Sequence, residues 1–404
     1  MPMSPAAPVL REILASTTLV FGVAIGAIAQ DAPWPTTGWS VSSPEAQGMR
    51  AAPLDSLDHR IRAATFGNVD RMVIVRNGYL VTSQRYDTDY QDISRGQTGP
   101  LGCGADACTD ASQLHQFNYL HPDFHPWYQG RDVHSLQSVT KSVTSVLIGV
   151  AIERGEIDGP DAPLLSFFEN YDISGTDPRL QEATLDDLLT MRSGIEWHEG
   201  DRPLDSTNTT IQLEASKDWI QFTLDQPMDA APGEKWVYNS GGSHLMSGII
   251  RDATGQFVDA YAEAYLFGPL GIGDYHWKKT SKGYPDTEGG LYLEAEQLAK
   301  IGYLYLQDGM WDGDRLVPEG WVDASTARRA EVGNPANWGY GYQWWRVDTN
   351  GTEIWAGLGF GGQFLVVIPR HQIVGVINSW NVFGGRPRSV RGAFVTALLE
   401  SVEP

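Results

Sequence analysis

Ser138-Val139-Thr140-Lys141 sets a hydroxyl three residues ahead of an amine at the start of a segment whose apolar positions recur with helical spacing. On a helix the two polar side chains share one face. A serine hydroxyl attacks a carbonyl readily only when a base takes its proton, and an adjacent lysine amine can be that base. No other lysine of the chain has a serine three positions before it. Val139, Val143, Val146, Leu147 and Val150 form one apolar face of a helix predicted over Ser138 to Arg154, so this helix is expected to be buried and its first turn rigid. First-turn amides lack intrahelical acceptors and can face a developing negative charge, which makes Ser138 a candidate for both nucleophile and amide donor. A Ser-x-x-Lys spacing arises readily by chance, and an ordinary helix start is the competing reading. The motifs downstream decide between them.

Tyr238-Asn239-Ser240 follows Pro232-Gly233-Glu234-Lys235-Trp236-Val237 and precedes a helix predicted over Gly242 to Ala253. A tyrosine there can relay a proton when a lysine ammonium nearby lowers its pKa; the other reading is a packed tyrosine at a helix start. Further on, Trp355-Ala356-Gly357-Leu358-Gly359-Phe360-Gly361-Gly362-Gln363 begins as a strand and is rich in glycine, which lets a substrate approach backbone closely or simply makes a turn.

In this order, Ser-x-x-Lys, Tyr and a glycine strand resemble the serine β-lactamase and penicillin-recognising family, in its class C-related part. Val73-Ile74-Val75-Arg76-Asn77-Gly78, Asp187-Leu188-Leu189-Thr190-Met191-Arg192-Ser193-Gly194 and Gly289-Gly290-Leu291 look like the same family's framework. The resemblance implies an α/β (α+β) fold of the β-lactamase/transpeptidase type, an antiparallel sheet flanked by helices with an inserted helical subdomain. It also implies roles: Ser138 as nucleophile, Lys141 as general base, Tyr238 as the group passing a proton to the leaving group, and the amides of Ser138 and Leu358 as oxyanion hole. Trp355, Gly357 and Ser240 are the implied substrate-binding positions.

Two departures matter. Trp355 stands where many relatives have the lysine of Lys-Thr-Gly, removing the cation that helps hold a β-lactam carboxylate. Tyr-Asn-Ser replaces Tyr-x-Asn, shifting by one position the amide that would contact an acylamino group. Trp-x-Gly is similar to the esterase branch, and the surroundings of Ser138 and of Gly361-Gly362-Gln363 look like 6-aminohexanoate-dimer hydrolases. An ester or amide is the implied small-molecule substrate. A penicillin-binding-like peptidase or acylated cell-wall sensor with little turnover is the second reading. For Lys141 to act as a neutral base near pH 7, burial and nearby positive charge are expected to depress its pKa.

The 404 residues, 42% hydrophobic and 11% aromatic, can bury a large core. A formal net charge of -21 leaves no basic stripe for phosphates, which excludes nucleic acid and anionic membrane surfaces as partners. Arg11 and the apolar run Ile13 to Ala29, ending Ala27-Ile28-Ala29, read as a signal peptide over 1–29, cleaved after Ala29, with export to the periplasm or exterior and no membrane attachment thereafter. Cys103 and Cys108 are then expected to form a local disulfide in an oxidising compartment.

The rest, 30–404, reads as one hydrolase domain, with a sheet part at about 45–137 plus 285–404 and a helical part at about 138–284. Asn77-Gly78 between Met72–Val75 and Tyr79–Val81 predicts a hairpin. Leu54 to Ala64 predicts a helix before it, and Ala183 to Met191 and Ser216 to Leu224 predict further helices. Strands are predicted at Tyr340 to Val347, Glu353 to Trp355, Gln363 to Ile368 and Gln372 to Trp380, with a closing helix at Val390 to Val402. The intervening loop from Tyr86 to Asp132 holds His115, His121 and His125, with His134 just beyond and within reach of the nucleophile. Pro122 and Pro126 break the helix that would align two of these histidines on a metal, and no metal or other cofactor is implied. Trp338, Tyr340, Trp344, Trp345 and Trp355 either line an acyl pocket for an uncharged substrate or pack as ordinary strand aromatics.

Overall fold

Thirteen strands and the helices between them were traced in a computed structural model, which describes residues 34–86, 88–95, 125–333, 337–383 and 389–402. The strands are β1 (Val69–Arg76), β2 (Tyr79–Arg85), β3 (His134–Ser135), β4 (Tyr275–Trp277), β5 (Leu291–Leu293), β6 (Met310–Trp311), β7 (Asp314–Arg315), β8 (Ala330–Glu331), β9 (Trp338–Tyr340), β10 (Trp345–Thr349), β11 (Thr352–Gly359), β12 (Gln363–Ile368) and β13 (Ile373–Ser379). Eight of them form one antiparallel sheet in the order β2-β1-β13-β12-β11-β10-β9-β8. The hairpin at Asn77-Gly78 thus pairs with the last strand of the chain, with Val73 opposite Val376.

The central strands are buried on both faces, which is why they read as unbroken apolar runs rather than alternating ones. β1 sends Val73 and Val75 to one core and Met72 and Ile74 to the other; β13 likewise sends Val374 and Val376 one way and Ile373 and Ile377 the other. The Ala51–Arg62 and Val390–Val402 helices pack against each other on the second of these faces, with Phe394 seated under Gly375. The Ala295–Leu306 helix covers the first face, and the Val139–Glu153 helix lies on it against β11 and β12. That same helix touches the Ser240–Thr254 helix, so it joins the sheet to the helical region.

The strand expected over Tyr340 to Val347 is two strands. β9 ends at Tyr340 and β10 begins at Trp345, and Gln343 between them takes φ 60°. The break turns the Gln343 side chain inward, where its amide donates to the Leu188 and Leu189 carbonyls and accepts from Ser243 Oγ at 2.8 Å. Its own carbonyl accepts from Ser142 Oγ at 2.8 Å. One residue thereby ties three helices together, and satisfying these buried polar groups outweighs strand continuity. The Ala295–Leu306 helix and the short sheet of β3, β5 and β4 go beyond the sequence reading.

The signal peptide, Cys103, Cys108, His115 and His121 lie outside the described residues. Among the described residues no helix is long and apolar enough to cross a membrane.

Candidate active site

The chain enters the nucleophile helix through a strained residue. Gln137 takes φ 49°, a conformation disfavoured for a side chain of its kind. It is held there because its carbonyl accepts from Thr140 N at 2.9 Å and its Nε2 donates to Ser135 Oγ at 3.0 Å. The N–H groups of Val139, Thr140 and Lys141 all donate to carbonyls three residues back. The first-turn amides after Ser138 are therefore committed within the turn rather than aimed outward. Thr140 Oγ1 accepts from Leu291 N and fixes the helix to β5.

Ser138 is half-buried, while Lys141 behind it is 1% exposed. Lys141 Nζ donates to Ser138 Oγ at 2.9 Å. The Tyr238 phenol lies close enough to Ser138 for the serine to lower its pKa, and Lys141 Nζ lies 5.2 Å from the centre of its ring. Residues a hundred positions apart in sequence thus meet around one hydroxyl. Tyr238 is set by the N-cap of the Ser240–Thr254 helix, where Asn239 Oδ1 accepts from Gly242 N at 2.7 Å. Asn239→Ala is expected to cost about 1 kcal/mol in a chemical denaturation curve, the ordinary loss for an N-cap.

The electrostatics differ from the sequence expectation. Lys141 was expected beside positive charge that would leave it a neutral amine; the structure surrounds it with carboxylates instead. Burial pulls its pKa down, but the phenolate form of Tyr238 and the carboxylates of Glu288, Glu199 and Asp286 outweigh burial and hold it above the ordinary lysine range. It rests as an ammonium. Its other partners are the Glu288 carbonyl at 2.6 Å and Glu288 Oε2 at 3.3 Å. The turn Asp286-Thr287-Glu288-Gly289-Gly290 presents both: Asp286 Oδ1 accepts from the Glu288 and Gly289 amides at 2.9 and 3.0 Å.

More acid lies close by than the lysines balance. Burial and then the neighbouring Glu288 and Asp286 push the Glu214 carboxyl well up. Burial, with Glu288 beside it, raises Asp286 too. Glu199 is raised by burial against the pull of Lys141. Burial lowers Lys278 to about 8 despite Asp286, Glu214 and Glu288. The Tyr238 phenol is raised by burial, with Lys141 opposing, so tyrosine and ammonium rest as TyrOH and LysNH3+. None of these acids stands at a motif spacing; they arrive from the loop after Trp197, the Thr209–Ala215 helix and the Asp286–Gly290 turn, which is why sequence reasoning missed them.

The expected substrate positions also make framework contacts. Ser240 gives its hydroxyl to Glu199 Oε1 at 2.8 Å and its amide to Oε2 at 3.0 Å. Trp355 is buried edge-on to Tyr305, with its indole N–H donated to Glu353. A Cβ on Gly357 would lie 3.0 Å from Val139 and 3.1 Å from Ser142 Oγ, so this glycine lets the nucleophile helix approach the sheet. β10 starts opposite Ala356, and beyond that pair the edge of β11 carrying Leu358 runs past the end of β10.

The aromatic set divides. Trp344 is fully buried 4.4 Å from Tyr305, whereas half-buried Trp345 stacks 5.9 Å from Tyr238 and meets Trp338, Tyr340 and Trp236 edge-on. His134 is stacked 3.5 Å from Trp380 and His125 4.2 Å from Tyr90. Burial lowers His134 to about 3 and His125 well below its usual value, so both are neutral packing groups. Among the described residues no group of histidines, cysteines and acids is placed to hold a metal.

The chain is 26% identical over 299 residues to the 6-aminohexanoate-dimer hydrolase of Paenarthrobacter ureafaciens, a match covering 68% of this chain and 74% of that one. Among solved structures, an octameric penicillin-binding protein homologue from Pyrococcus abyssi superposes with TM-score 0.60 at 19% identity, over 87% of this chain and 77% of its own. EstCE1, a hydrolase with promiscuous acyltransferase activity, gives 0.59 at 12% identity, over 87% and 98%. These two likenesses show the fold, the β-lactamase/transpeptidase type that the sequence implied. The beta-lactamase family model itself matches residues 119–398, a span that takes in Ser138, Lys141, Tyr238 and the whole of β11, and the chain belongs to that family.

Proposed function

We propose that the protein is an exported serine hydrolase that cleaves an ester or amide bond through an acyl-enzyme on Ser138. The observation that carries this reading is the 2.9 Å contact between Lys141 Nζ and Ser138 Oγ, with the Tyr238 ring beside the same ammonium. Ser138 attacks the carbonyl, the lysine takes its proton, Tyr238 protonates the leaving group, and water then cleaves the acyl-serine. The amides of Ser138 and Leu358 would hold the oxyanion. Lys141 rests as an ammonium, so it accepts the serine proton only as it gives up one of its own. Trp345 and Trp236 beside Tyr238, with Trp338 edge-on to Trp345, offer an apolar wall suited to an uncharged acyl or leaving group. The name of the Paenarthrobacter relative favours an amide among the possible substrates.

Rapid mixing with p-nitrophenyl butyrate, followed by mass spectrometry of the quenched protein, tests the reading. A burst of nitrophenol followed by steady turnover, with the butyryl group on the peptide containing Ser138, is expected. One equivalent of product and then silence would favour the acylated sensor, and an acyl group on any other residue would overturn the assignment.

A further inference from the structure

The ammonium of Lys141 has three N–H bonds to place. Its partners are Ser138 Oγ at 2.9 Å, the Glu288 carbonyl at 2.6 Å and the Glu288 carboxylate at 3.3 Å. An ammonium has no lone pair for the serine proton. Nζ can accept that proton only while releasing another, and of these three partners only the carboxylate can take one: the carbonyl is not a base, and the hydroxyl is the group being deprotonated. We propose that Glu288 is the terminal proton acceptor of the Ser138–Lys141 pair, a positioning residue that acts through Lys141. The proposal rests on the reading of Ser138 as nucleophile.

The step balances. As Oγ bonds to the substrate carbonyl carbon, the Oγ–H proton passes to Nζ and one Nζ proton passes to Glu288 Oε2. The carbonyl π pair moves onto its oxygen. Nζ stays cationic throughout, and the negative charge leaves Glu288 and appears on the oxyanion. When the tetrahedral intermediate collapses, the pair from the breaking bond takes a proton from Tyr238, and the proton stored on Glu288 makes good that loss.

The groups facing Glu288 come from every element around it. Asp286 lies in its own turn, Lys141 in the nucleophile helix, Tyr238 before the Ser240–Thr254 helix, Glu199 in the loop after Trp197, Glu214 in the Thr209–Ala215 helix and Lys278 beside β4. A mere charge-balancing role for Glu288 is the competing account, and the two differ in sign. A carboxylate that only held Lys141 charged would suppress the base, so its removal would raise activity near neutrality. A carboxylate that accepts the proton is needed there, and its removal leaves turnover dependent on spontaneous loss of the lysine proton at high pH.

Glu288→Gln keeps the volume and an acceptor oxygen for Nζ. With p-nitrophenyl butyrate its kcat/KM at pH 7 is expected to fall about 10²–10³-fold, the usual effect of removing a proton-transfer group. Activity is then expected to recover from about pH 8 to about pH 10 as the amine frees itself, where the wild-type profile is flat. Glu288→Asp, which keeps the carboxylate, should restore most of the neutral-pH rate and guards against a folding defect. Equal or higher activity of Glu288→Gln at pH 7, or a loss by one constant factor at every pH, would overturn the proposal. Ser138→Ala measured alongside separates the two levels. If it is as active as wild type, the nucleophile assignment fails and Glu288 with it; if it is dead while Glu288→Gln matches wild type, Glu288 alone is removed.

Discussion

Ser138→Ala is expected to lower kcat for p-nitrophenyl butyrate by about 10⁴-fold or more while leaving the thermal melt within a degree or two of wild type. The magnitude follows from the covalent route: without Oγ the acyl-enzyme cannot form, and what remains is the modest acceleration that an oxyanion site and binding give to direct attack by water. The stability expectation follows from local packing. Oγ is on a half-buried residue at the mouth of the site, and its loss leaves Lys141 bonded to the carbonyl and carboxylate of Glu288. Lys141→Arg should be as inactive as Ser138→Ala, because a guanidinium keeps its proton at any working pH. Near-normal turnover in Ser138→Ala would remove the nucleophile; near-normal turnover in Lys141→Arg would remove the lysine from proton transfer. Steady-state rates from purified variants with matching circular dichroism decide both.

The second large effect is expected at Gly359, which no chemical role singles out. Its backbone at φ -122° suits any residue, so a substitution there carries no conformational penalty and its cost is purely steric. A Cβ would sit 2.3 Å from the Leu136 carbonyl oxygen, 2.7 Å from Gln363 Cβ and 3.0 Å from Gln137 Cβ. The nearest of these is backbone and cannot rotate away. Gly359→Ala is expected to destabilise by about 3 kcal/mol, the upper part of the range for overpacking a core. It should also lower kcat/KM by about 10²-fold, because pushing Leu136 and Gln137 displaces the strained entry to Ser138 and a reacting group misplaced by about 1 Å loses that much. Gly175→Ala, at a position with open space around it, serves as control and should stay within about 0.5 kcal/mol. If Gly359→Ala melts and turns over like the control, the close contact between β11 and the nucleophile turn is not as tight as described.

The chain by itself determined the family, the antiparallel sheet and the three residues that meet at the site. Each left a local signature: a Ser-x-x-Lys spacing at the head of an apolar helix, a tyrosine before another helix, a hairpin turn at Asn77-Gly78, and strands buried on both faces that read as unbroken runs such as Val73-Ile74-Val75. The closing helix was legible to the residue at Val390–Val402 for the same reason, an apolar segment with clear ends. The charge state of Lys141 was not legible. Sequence neighbours said nothing of Glu199, Asp286 and Glu288, which reach the lysine from loops tens of residues away and turn an expected neutral base into an ammonium. Nor could spacing reveal that Gly357 and Gly359 make room for the helix and turn of Ser138, or that Gln343 breaks a strand to join three helices. Periodicity is a property of one segment, fixed by the geometry of a helix or strand. A pKa or a close contact is a property of whatever other segments arrive at the same place, and only the packed tertiary structure decides which those are.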